Sequence, residues 1–346
     1  MEFRSDTFTL PTPNMRDAMF SAQVGDDVFQ EDVSINALQE FSAQLFGFEA
    51  ALFCPSGTMT NQIAINVHTR PGDEVICEEG SHVYFYEGGG IAKNSGCQVR
   101  LIAGDRGRIT AQQILPCINP DDPHKARTRL VSLENTCNRG GGSCYDIQEV
   151  RKIKALCDAH GLSLHLDGAR LMNALIFYSQ SDGRPWQEHA KEWGSLFDSI
   201  SVCLSKGLGA PVGSLLLGSR EFVHQARRVR KVMGGGMRQA GFLAAAAQFA
   251  LEHQVDRLQE DHQNAQLLEK TLLACSYVES VMPVETNIVI FELHPEIDPT
   301  QFIQYMNQNG VKLSSMGGSK IRMVTHLNIQ SSDIEGARHT LTQFQS

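Results

Sequence analysis

The sequence predicts an α/β fold: a mostly parallel central sheet flanked by helices, plus a small C-terminal α+β domain. Over roughly the first two thirds of the 346 residues, short apolar runs alternate with amphipathic stretches. This alternation is typical of parallel strands joined by crossover helices. It stops at a long helical stretch over residues 239–275. Beyond that stretch, strand-like and helical runs follow one another in a pattern typical of a separate α+β unit.

Apolar runs predict the strands of the large sheet, at residues 50–54, 73–79, 129–135, 162–167, 199–204 and 213–218. The segment 58–68 is expected to be helical because Met59, Ile63 and Val67 recur on one face. A second helix is expected at 147–160. A short link around Pro211 joins the last two runs, so one of them is a candidate for an antiparallel strand.

The C-terminal third predicts strands at 287–293, 310–316 and 320–326, and helices at 299–309 and 332–344. The stretch 239–275 reads as one long helix or a helix pair, and it holds the predicted junction. We therefore expect a large domain over residues 12–250 and a small one over 251–346.

Composition excludes several classes of protein. The hydrophobic content of 42% and the charged content of 20% are ordinary for a globular chain. A net charge of −9 disfavours generic nucleic-acid binding. No apolar run could cross a bilayer, and the N-terminus has no apolar signal core. The nine scattered cysteines form no C-x-x-C pair, so we expect free thiols, no metal and a cytoplasmic protein.

An acidic residue and a lysine follow two neighbouring predicted strands. Asp167 ends the run LSLHLD, and Lys206 follows SISVCL just before a glycine turn. Ligands of α/β sheets bind at the carboxyl ends of strands, so both side chains could face one crevice. A lysine that forms a Schiff base and an aspartate on a pyridine nitrogen are the minimal equipment for pyridoxal phosphate chemistry. Taken alone, each has a simpler explanation, as a turn or capping aspartate and a solvated turn lysine.

The segment PSGTMTNQ, residues 55–62, supports the cofactor interpretation. It joins a predicted strand to a predicted helix and carries Ser56, Gly57 and Thr58 at the junction. Free N–H groups and hydroxyls at a helix N-terminus suit a phosphate. Plain N-capping by Ser56 or Thr58 is the simpler alternative. The segment does not follow the nucleotide P-loop pattern.

Together these residues closely resemble the threonine aldolases of the fold-type-I (aspartate aminotransferase-like) pyridoxal phosphate enzymes. The similarity runs from one end of the chain to the other, in family order. The matching stretches are FRSDTFTLPT (3–12), GDDVFQED (25–32), SGTMTNQ (56–62), SHVYFYEGGG (81–90), LENTCNRGGG (133–142), HLDGARLMNA (165–174), CLSKGLGAPVGS (203–214), RKVMGGGMRQAG (230–241) and IRMVTH (321–326).

The resemblance implies a role for each matching residue. Lys206 would be the Schiff-base lysine, Asp167 the partner of the ring nitrogen, and His82 the imidazole stacked on the ring. The cofactor-binding set that it implies is Ser56, Gly57, Thr58, His82, Asp167, Arg170, Ser205, Lys206, Lys231 and Arg238. The substrate carboxylate would be held by Ser5, Arg170 and Arg322, with residues 1–11 near the active site. A guanidinium fork matches a carboxylate bidentately.

The implied reaction is the retro-aldol cleavage of L-threonine or L-allo-threonine to glycine and acetaldehyde. The catalytic set is Lys206, His82, His124 and Asp167, and the base for the β-hydroxyl could be His124, His82 or a water. A solvated surface residue is the simpler explanation for His124. Another reaction of the same cofactor, or a non-enzymatic relative, are the alternatives.

The resemblance also implies a homotetramer, a dimer of dimers with active sites at subunit interfaces. Lys231 and Arg238 would then reach the cofactor of a neighbouring subunit. The sequence departs from the family pattern at a few positions. Cys137 stands where a histidine is common, and Gln30 and Val33 stand where glycine and proline are usual. The loop with these last two would border the adjacent subunit's active site, so substrate preference could differ.

Overall fold

The computed structural model describes residues 1–345 of the chain. Its strands, numbered β1 to β11 in chain order, are Ala50–Cys54, Glu74–Glu78, Gln98–Ile102, Thr128–Glu134, Ser163–Gly168, Ser199–Cys203, Ser214–Gly218, Val278–Val281, Ile288–Leu293, Ser314–Gly317 and Lys320–Val324. Its α-helices, α1 to α14, are Pro13–Phe20, Val33–Phe46, Gly57–His68, His82–Phe85, Gly90–Ser95, Ala111–Ile114, Ile147–His160, Leu171–Asp182, Trp186–Gly194, Arg220–Val232, Gly241–His253, Leu258–Leu273, Pro299–Gln308 and Ser331–Gln343.

The large sheet has seven strands in the order β1-β7-β6-β5-β4-β2-β3. The five strands from β6 to β3 pair in parallel. β7 pairs antiparallel with both β1 and β6, so the expected antiparallel strand is the one that follows Pro211. All six predicted strands of this sheet are confirmed. The edge strand β3 was missed because most of its residues are exposed and its sequence, QVRLI, mixes polar and apolar residues.

The small sheet has four antiparallel strands in the order β10-β11-β9-β8. The α+β expectation for the C-terminal third is thereby confirmed, with one correction at its second strand. The predicted run 310–316 becomes a strand only at Ser314. Upstream of it, Lys312 pairs instead with Glu2 and accepts a hydrogen bond from the backbone of Phe3. The N-terminal segment is therefore attached to the small sheet.

The helical predictions hold well, with small changes of boundary. The stretch 239–275 is a helix pair, α11 and α12, separated by residues 254–257. Helix α3 begins at Gly57, because Ser56 caps it by accepting a hydrogen bond from the backbone N–H of Met59. Helix α7 has the predicted bounds. No helix within residues 1–345 is both long and apolar enough to span a membrane.

Two main hydrophobic clusters correspond to the two sheets. The larger one packs the strands of the large sheet against helices such as α2, α7 and α8. The second surrounds the small sheet and also takes in Phe3 and the apolar face of α12. The proposed boundary between residues 250 and 251 stays a prediction.

Candidate active site

A cleft of about 340 Å³ opens at the carboxyl edge of the large sheet. Segments that follow β2, β4, β5 and β6 form one side of it, as expected for a ligand site in an α/β sheet. The N-terminal segment and the β10–β11 hairpin form the other side. The lining residues are Ser5, Thr7, His82, Tyr86, Glu134, Asn138, Ala169, Arg170, Lys206, Ser314, Ser315, Met316 and Arg322.

Asp167 and Lys206 are positioned by neighbouring parallel strands. Asp167 lies near the end of β5, where it pairs with Ser201 of β6. Its Oδ1 accepts a hydrogen bond from the backbone N–H of Ala169 at 3.1 Å, whereas Oδ2 is buried without a partner among the described residues. A buried carboxylate oxygen needs a donor, and a protonated pyridine nitrogen would supply one. This oxygen therefore fits pyridoxal phosphate.

Lys206 stands in the turn after β6. The turn closes when the backbone N–H of Gly209, at φ +81°, donates to the carbonyl of Lys206 at 2.8 Å. The amine of Lys206 makes no hydrogen bond or ion pair with residues 1–345, although the side chain lines the cleft. It is therefore available for covalent chemistry. Lys206 thus lines the cleft, whereas Asp167 approaches it through the lining residue His82, whose ring nitrogen lies within 4.8 Å of an Asp167 carboxylate oxygen.

His82 begins α4, and its ring is held by Glu87. Its Nδ1 lies 2.9 Å from Oε1 of that carboxylate. A ring nitrogen of His82 and one carboxylate oxygen each of Glu87 and Asp167 all lie within 4.8 Å of one another. Burial opposes protonation of the ring, but the hydrogen bond to Glu87 and the charge of Asp167 outweigh it and raise the pKa of His82. Of these three residues, Asp167 is the one with a buried oxygen left for a pyridine nitrogen.

Glu134 is a site residue that the sequence analysis missed. It ends β4 opposite Asp167 in the register, and its two oxygens accept the backbone N–H groups of His82 at 2.7 Å and Asn138 at 2.8 Å. Burial and the negative charge of Asp167 raise the pKa of Glu134 to about 7. The rule that selected Asp167, an acidic residue at the end of an apolar strand, would also have found it.

The expected phosphate site lies at the start of α3. Ser56 caps this helix, as the simpler explanation held, and the cap leaves the first N–H groups and the exposed Thr58 hydroxyl for an anion. A Cβ at Gly57 would make only ordinary contact, 3.5 Å from Oγ of Ser214. Cys203 lies between Gly57 and Ser205: its Cβ is 4.0 Å from a Cβ built on Gly57, and its sulfur is 3.6 Å from the Ser205 hydroxyl. Capping and phosphate binding are therefore compatible.

The three residues expected to hold a carboxylate all line the cleft. Arg170 is buried, and its Nε and Nη2 each donate to Asp6 at 2.7 Å, which leaves Nη1 towards Asn138. Arg322 donates to Asn138 and to the carbonyl of Arg4, and its Nε is buried without a partner in the described part of the chain. Arg322 is therefore the freer donor. The Ser5 hydroxyl accepts the N–H of Thr7.

Eight predicted residues are not among those that line this cleft: Ser56, Gly57, Thr58, Asp167, Ser205, His124, Lys231 and Arg238. The last three are exposed in the single chain. The His124 side chain is 89% exposed and bonds to Asp122 at 2.9 Å, so the geometry of the single chain does not support it as the base. Lys231 is exposed on α10, and Arg238 forms an exposed ion pair with Asp26 at 3.2 Å. A second subunit would be needed to bring these two cations to a cofactor.

Cys137, which replaces the family's histidine, is buried outside the cleft. Its sulfur lies 3.1 Å from the carbonyl oxygen of Glu134, to which the thiol donates. Burial and the negative charge of Glu134 raise the pKa of this thiol well above its usual range. It therefore packs as a small neutral side chain and offers no substitute for an imidazole. All nine cysteines, which lie within residues 1–345, are free.

Comparison with known proteins gives a consistent picture. The profile of the family described as beta-eliminating lyase matches residues 2–296. Low-specificity L-threonine aldolase 1 of Arabidopsis thaliana is 40% identical, covering 100% of this chain and 95% of that protein. The low specificity L-threonine aldolase of Escherichia coli K12 is 39% identical, covering 98% of each. A solved Leishmania major threonine aldolase has a TM-score of 0.84 at 22% identity, covering 99% of this chain and 98% of that one, which shows a shared fold.

Proposed function

The chain belongs to the beta-eliminating lyase family, among the threonine aldolases, and from this premise we propose that it cleaves L-threonine and L-allo-threonine to glycine and acetaldehyde. It is a pyridoxal phosphate-dependent carbon–carbon lyase. One observation carries the assignment to this site: the buried, unpartnered oxygen of Asp167 belongs to a carboxylate beside His82, and His82 lines the same cleft as a free lysine and an arginine pair.

The residues of the large domain would hold the cofactor. Asp167 would accept a hydrogen bond from the protonated ring nitrogen, His82 would stack on the ring, and Lys206 would bind the aldehyde carbon. Ser56, Gly57, Thr58 and Ser205 would surround the phosphate at the start of α3. When bound, pyridoxal phosphate supplies an electron sink for the carbon that loses its bond.

The arginines would orient the substrate. Arg322 would hold the carboxylate through its free Nε, and Arg170 would add Nη1, with Ser5 at the same end. A carboxylate fixed in this way restricts rotation about Cα, so the bond to Cβ can be held in the orientation that breaks most easily. Positioning of this kind accounts for a large part of the lowering of the activation barrier in many enzymes.

His82 is the side chain best placed to take the β-hydroxyl proton. Its Nδ1 is occupied by Glu87, so Nε2 is the free acceptor when the ring is neutral. His124 lies in an exposed loop, which leaves His82 or a water held by it for this role. The proton would move from the hydroxyl oxygen to Nε2 as the aldehyde carbonyl forms.

We also propose a homotetramer, a dimer of dimers, in which Lys231 and Arg238 of one subunit approach the cofactor of another. The exposed positions of both cations support this arrangement. A cytoplasmic location is consistent with the free cysteines and completes the proposal.

The test is product analysis with the purified holoenzyme and each threonine diastereomer. We expect equal amounts of glycine and acetaldehyde, the latter measured with an alcohol dehydrogenase. A 2-oxo acid and ammonia without aldehyde would contradict the proposal and point to elimination chemistry.

A further inference from the structure

A continuous chain of hydrogen bonds runs through the buried interior of the large domain and ends at His82. From His68, whose ring stacks on Phe222, it passes to Ser199 and then to His165, each step spanning 2.8 Å. His165 contacts Oδ1 of Asn61 at 3.2 Å, and Nδ2 of Asn61 reaches Glu87 at 2.9 Å. Ser199, His165, Asn61 and Glu87 are all buried.

The direction of every hydrogen bond in this chain is determined by the carboxylate at its end. Glu87 is an acceptor when ionised, so Asn61 must turn its amide N–H towards it and its oxygen towards His165. His165 must then donate from Nε2, which leaves Nδ1 to accept the Ser199 hydroxyl. His68 in turn donates to Ser199.

The two histidines at the far end of this hydrogen-bond chain, His68 and His165, are neutral, as this direction requires. Burial and the nearby His68 lower the pKa of His165 to about 3. Burial lowers the pKa of His68 to about 4. Neither ring therefore carries a proton on both nitrogens near neutral pH, and each has a fixed tautomer.

Within the described part of the chain, Glu87 receives three donors, and one of them is a group that could neutralise it. Asn61 and His82 contact Oε1, and Gln62 contacts Oε2 at 2.6 Å. Asn61 and Gln62 are neutral, so His82 is the one titratable donor to this carboxylate among residues 1–345. A buried charge is stable when its oxygens are fully hydrogen-bonded, and here a rigid helix, α3, supplies two of the three bonds.

We infer that Glu87, held by the hydrogen-bond chain through Asn61, is a positioning residue that fixes His82 with Nδ1 protonated and Nε2 free towards the substrate. Glu87 would stabilise the positive ring formed when Nε2 takes the β-hydroxyl proton. The arrangement resembles in its logic a carboxylate that orients a catalytic imidazole. The inference deepens the proposed function and rests on it.

The groups that face His82 determine which substitutions are informative. They are Glu87 from the segment after α4, Asp167 from β5, Lys206 from the turn after β6, and Glu134, which binds the backbone of His82 from the end of β4. Asp167 and Lys206 belong to the cofactor site. Glu87 is thus the carboxylate whose removal changes the environment of His82 while Asp167, Lys206 and the backbone contact with Glu134 all stay in place.

The first test compares Glu87→Gln with Glu87→Asp in the holoenzyme. The neutral variant should lower the pKa of His82 by about one unit or more, because an adjacent negative charge is lost. Histidine labelled with carbon-13 reads that pKa by NMR without any turnover, with His82→Gln to assign the signal. The acidic limb of the kcat profile should move to lower pH by the same amount, and kcat should fall at least about tenfold. Glu87→Asp should keep both pKa values near those of wild type.

The second test asks whether Asn61 acts through Glu87. Asn61→Ala should lower kcat in the wild-type background but add little to Glu87→Gln, because the two residues form one unit. Asn66→Ala on the same helix is the matched control, since among the described residues the Asn66 side chain bonds to the backbone of Asn94 alone. It should leave kcat unchanged in both backgrounds.

The outcomes separate this inference from the function on which it rests. A wild-type holoenzyme that releases no acetaldehyde from threonine contradicts the function, whereas the NMR titration still tests the Glu87–His82 relationship. An active wild type whose His82 pKa and acidic limb are unchanged in Glu87→Gln overturns the inference. If the losses of kcat from Asn61→Ala and Glu87→Gln are fully additive, the role assigned to the hydrogen-bond chain is overturned.

Discussion

Arg170 and Arg322 share one acceptor, the side-chain oxygen of Asn138, at 3.4 and 2.9 Å respectively. Arg170 follows the strand β5 of the large sheet, whereas Arg322 lies in β11 of the small sheet. Asn138 therefore joins two cations from separate sheets across the cleft. The two are not equivalent, because Asp6 occupies two nitrogens of Arg170. Burial and the positive charge of Arg170 lower the pKa of Arg322, as expected of a group that awaits an anion.

Arg322→Lys should weaken substrate binding strongly although it keeps the charge. The lysine cannot reproduce the donor at Nε together with the bond to Asn138, and a hydrogen bond to a charged group is worth about 1.5–3 kcal/mol. We therefore expect kcat/KM for threonine to fall roughly 10- to 100-fold, mainly through KM. The control is Arg129→Lys, a change at a half-buried arginine of β4 whose guanidinium makes one exposed hydrogen bond. A KM that rises equally in both variants would rule out a specific role for Arg322.

Lys206→Ala should abolish both cleavage and the visible absorbance of the lysine-bound cofactor. Its amine is free in the described structure, and the turn backbone that carries it is closed by Gly209 rather than by the side chain. The substitution should therefore leave the fold and the melting temperature nearly unchanged. Lys93→Ala, on α5, is the control and should keep the wild-type spectrum. An unaltered spectrum in Lys206→Ala would refute the assignment.

Local sequence patterns were sufficient for the fold wherever a strand is buried on both faces. All five residues of β6 are buried, and the strand was predicted within one residue. They failed for β3, whose side chains are mostly exposed, because an edge strand lacks a continuous apolar run. Local patterns also started the predicted strand 310–316 too early. The hydrogen bond between Phe3 and Lys312 joins segments about 300 residues apart, and such a contact leaves no local signal in the sequence.

The candidate site was predictable in part for the same reason. Asp167 and Lys206 follow apolar strands, so strand ends identified them. The shared contact of Asn138 and the salt bridge of Arg170 with Asp6 depend on the packing of the two sheets. No spacing in the sequence encodes these contacts, and the exposed position of His124 is likewise a tertiary property.

Glu134→Gln should impair catalysis although Glu134 is not proposed to bind the substrate or to transfer a proton. An ionised or neutral carboxyl can accept from the backbone N–H groups of both His82 and Asn138, but an amide has one oxygen and leaves one N–H facing its own NH₂ group. An unsatisfied buried donor costs about 1–3 kcal/mol. We expect a melting temperature lower by several degrees and kcat/KM reduced at least about tenfold. Gln148→Glu on the exposed start of α7 is a charge control and should change neither.

His262→Gln should make the protein less sensitive to acid. Burial and the charge of Arg257 lower the pKa of His262 from 6.5 to about 4. Between these values the unfolded chain binds a proton that the folded chain does not, so stability is lost as pH falls from 6.5 towards 4. The loss from this residue is at most about 1.4 kcal/mol per pH unit. Glutamine can still donate to Asn173, the partner of His262, while it does not titrate.

The measurement is urea unfolding at several pH values between 7.5 and 4.5. The slope of the unfolding free energy against pH should be shallower in His262→Gln than in wild type. His253→Gln is the control, because the His253 side chain is 55% exposed. Equal slopes in all three proteins would show that His262 is protonated in the folded state at mildly acidic pH.

Co-expression of Lys206→Ala with Arg238→Ala should restore activity that neither variant has alone. Arg238 is exposed and paired only with Asp26 in the described chain, so its proposed phosphate contact requires a neighbouring subunit. In a mixed dimer, one site combines the intact Lys206 of one chain with the intact Arg238 of the other, and the second site lacks both. Random pairing makes half of the dimers mixed, and each mixed dimer has one intact site out of two. About a quarter of all sites are then intact, which predicts about a quarter of the activity of the same amount of wild-type protein. Recovery of no activity in verified mixed dimers would place Arg238 outside the shared active site.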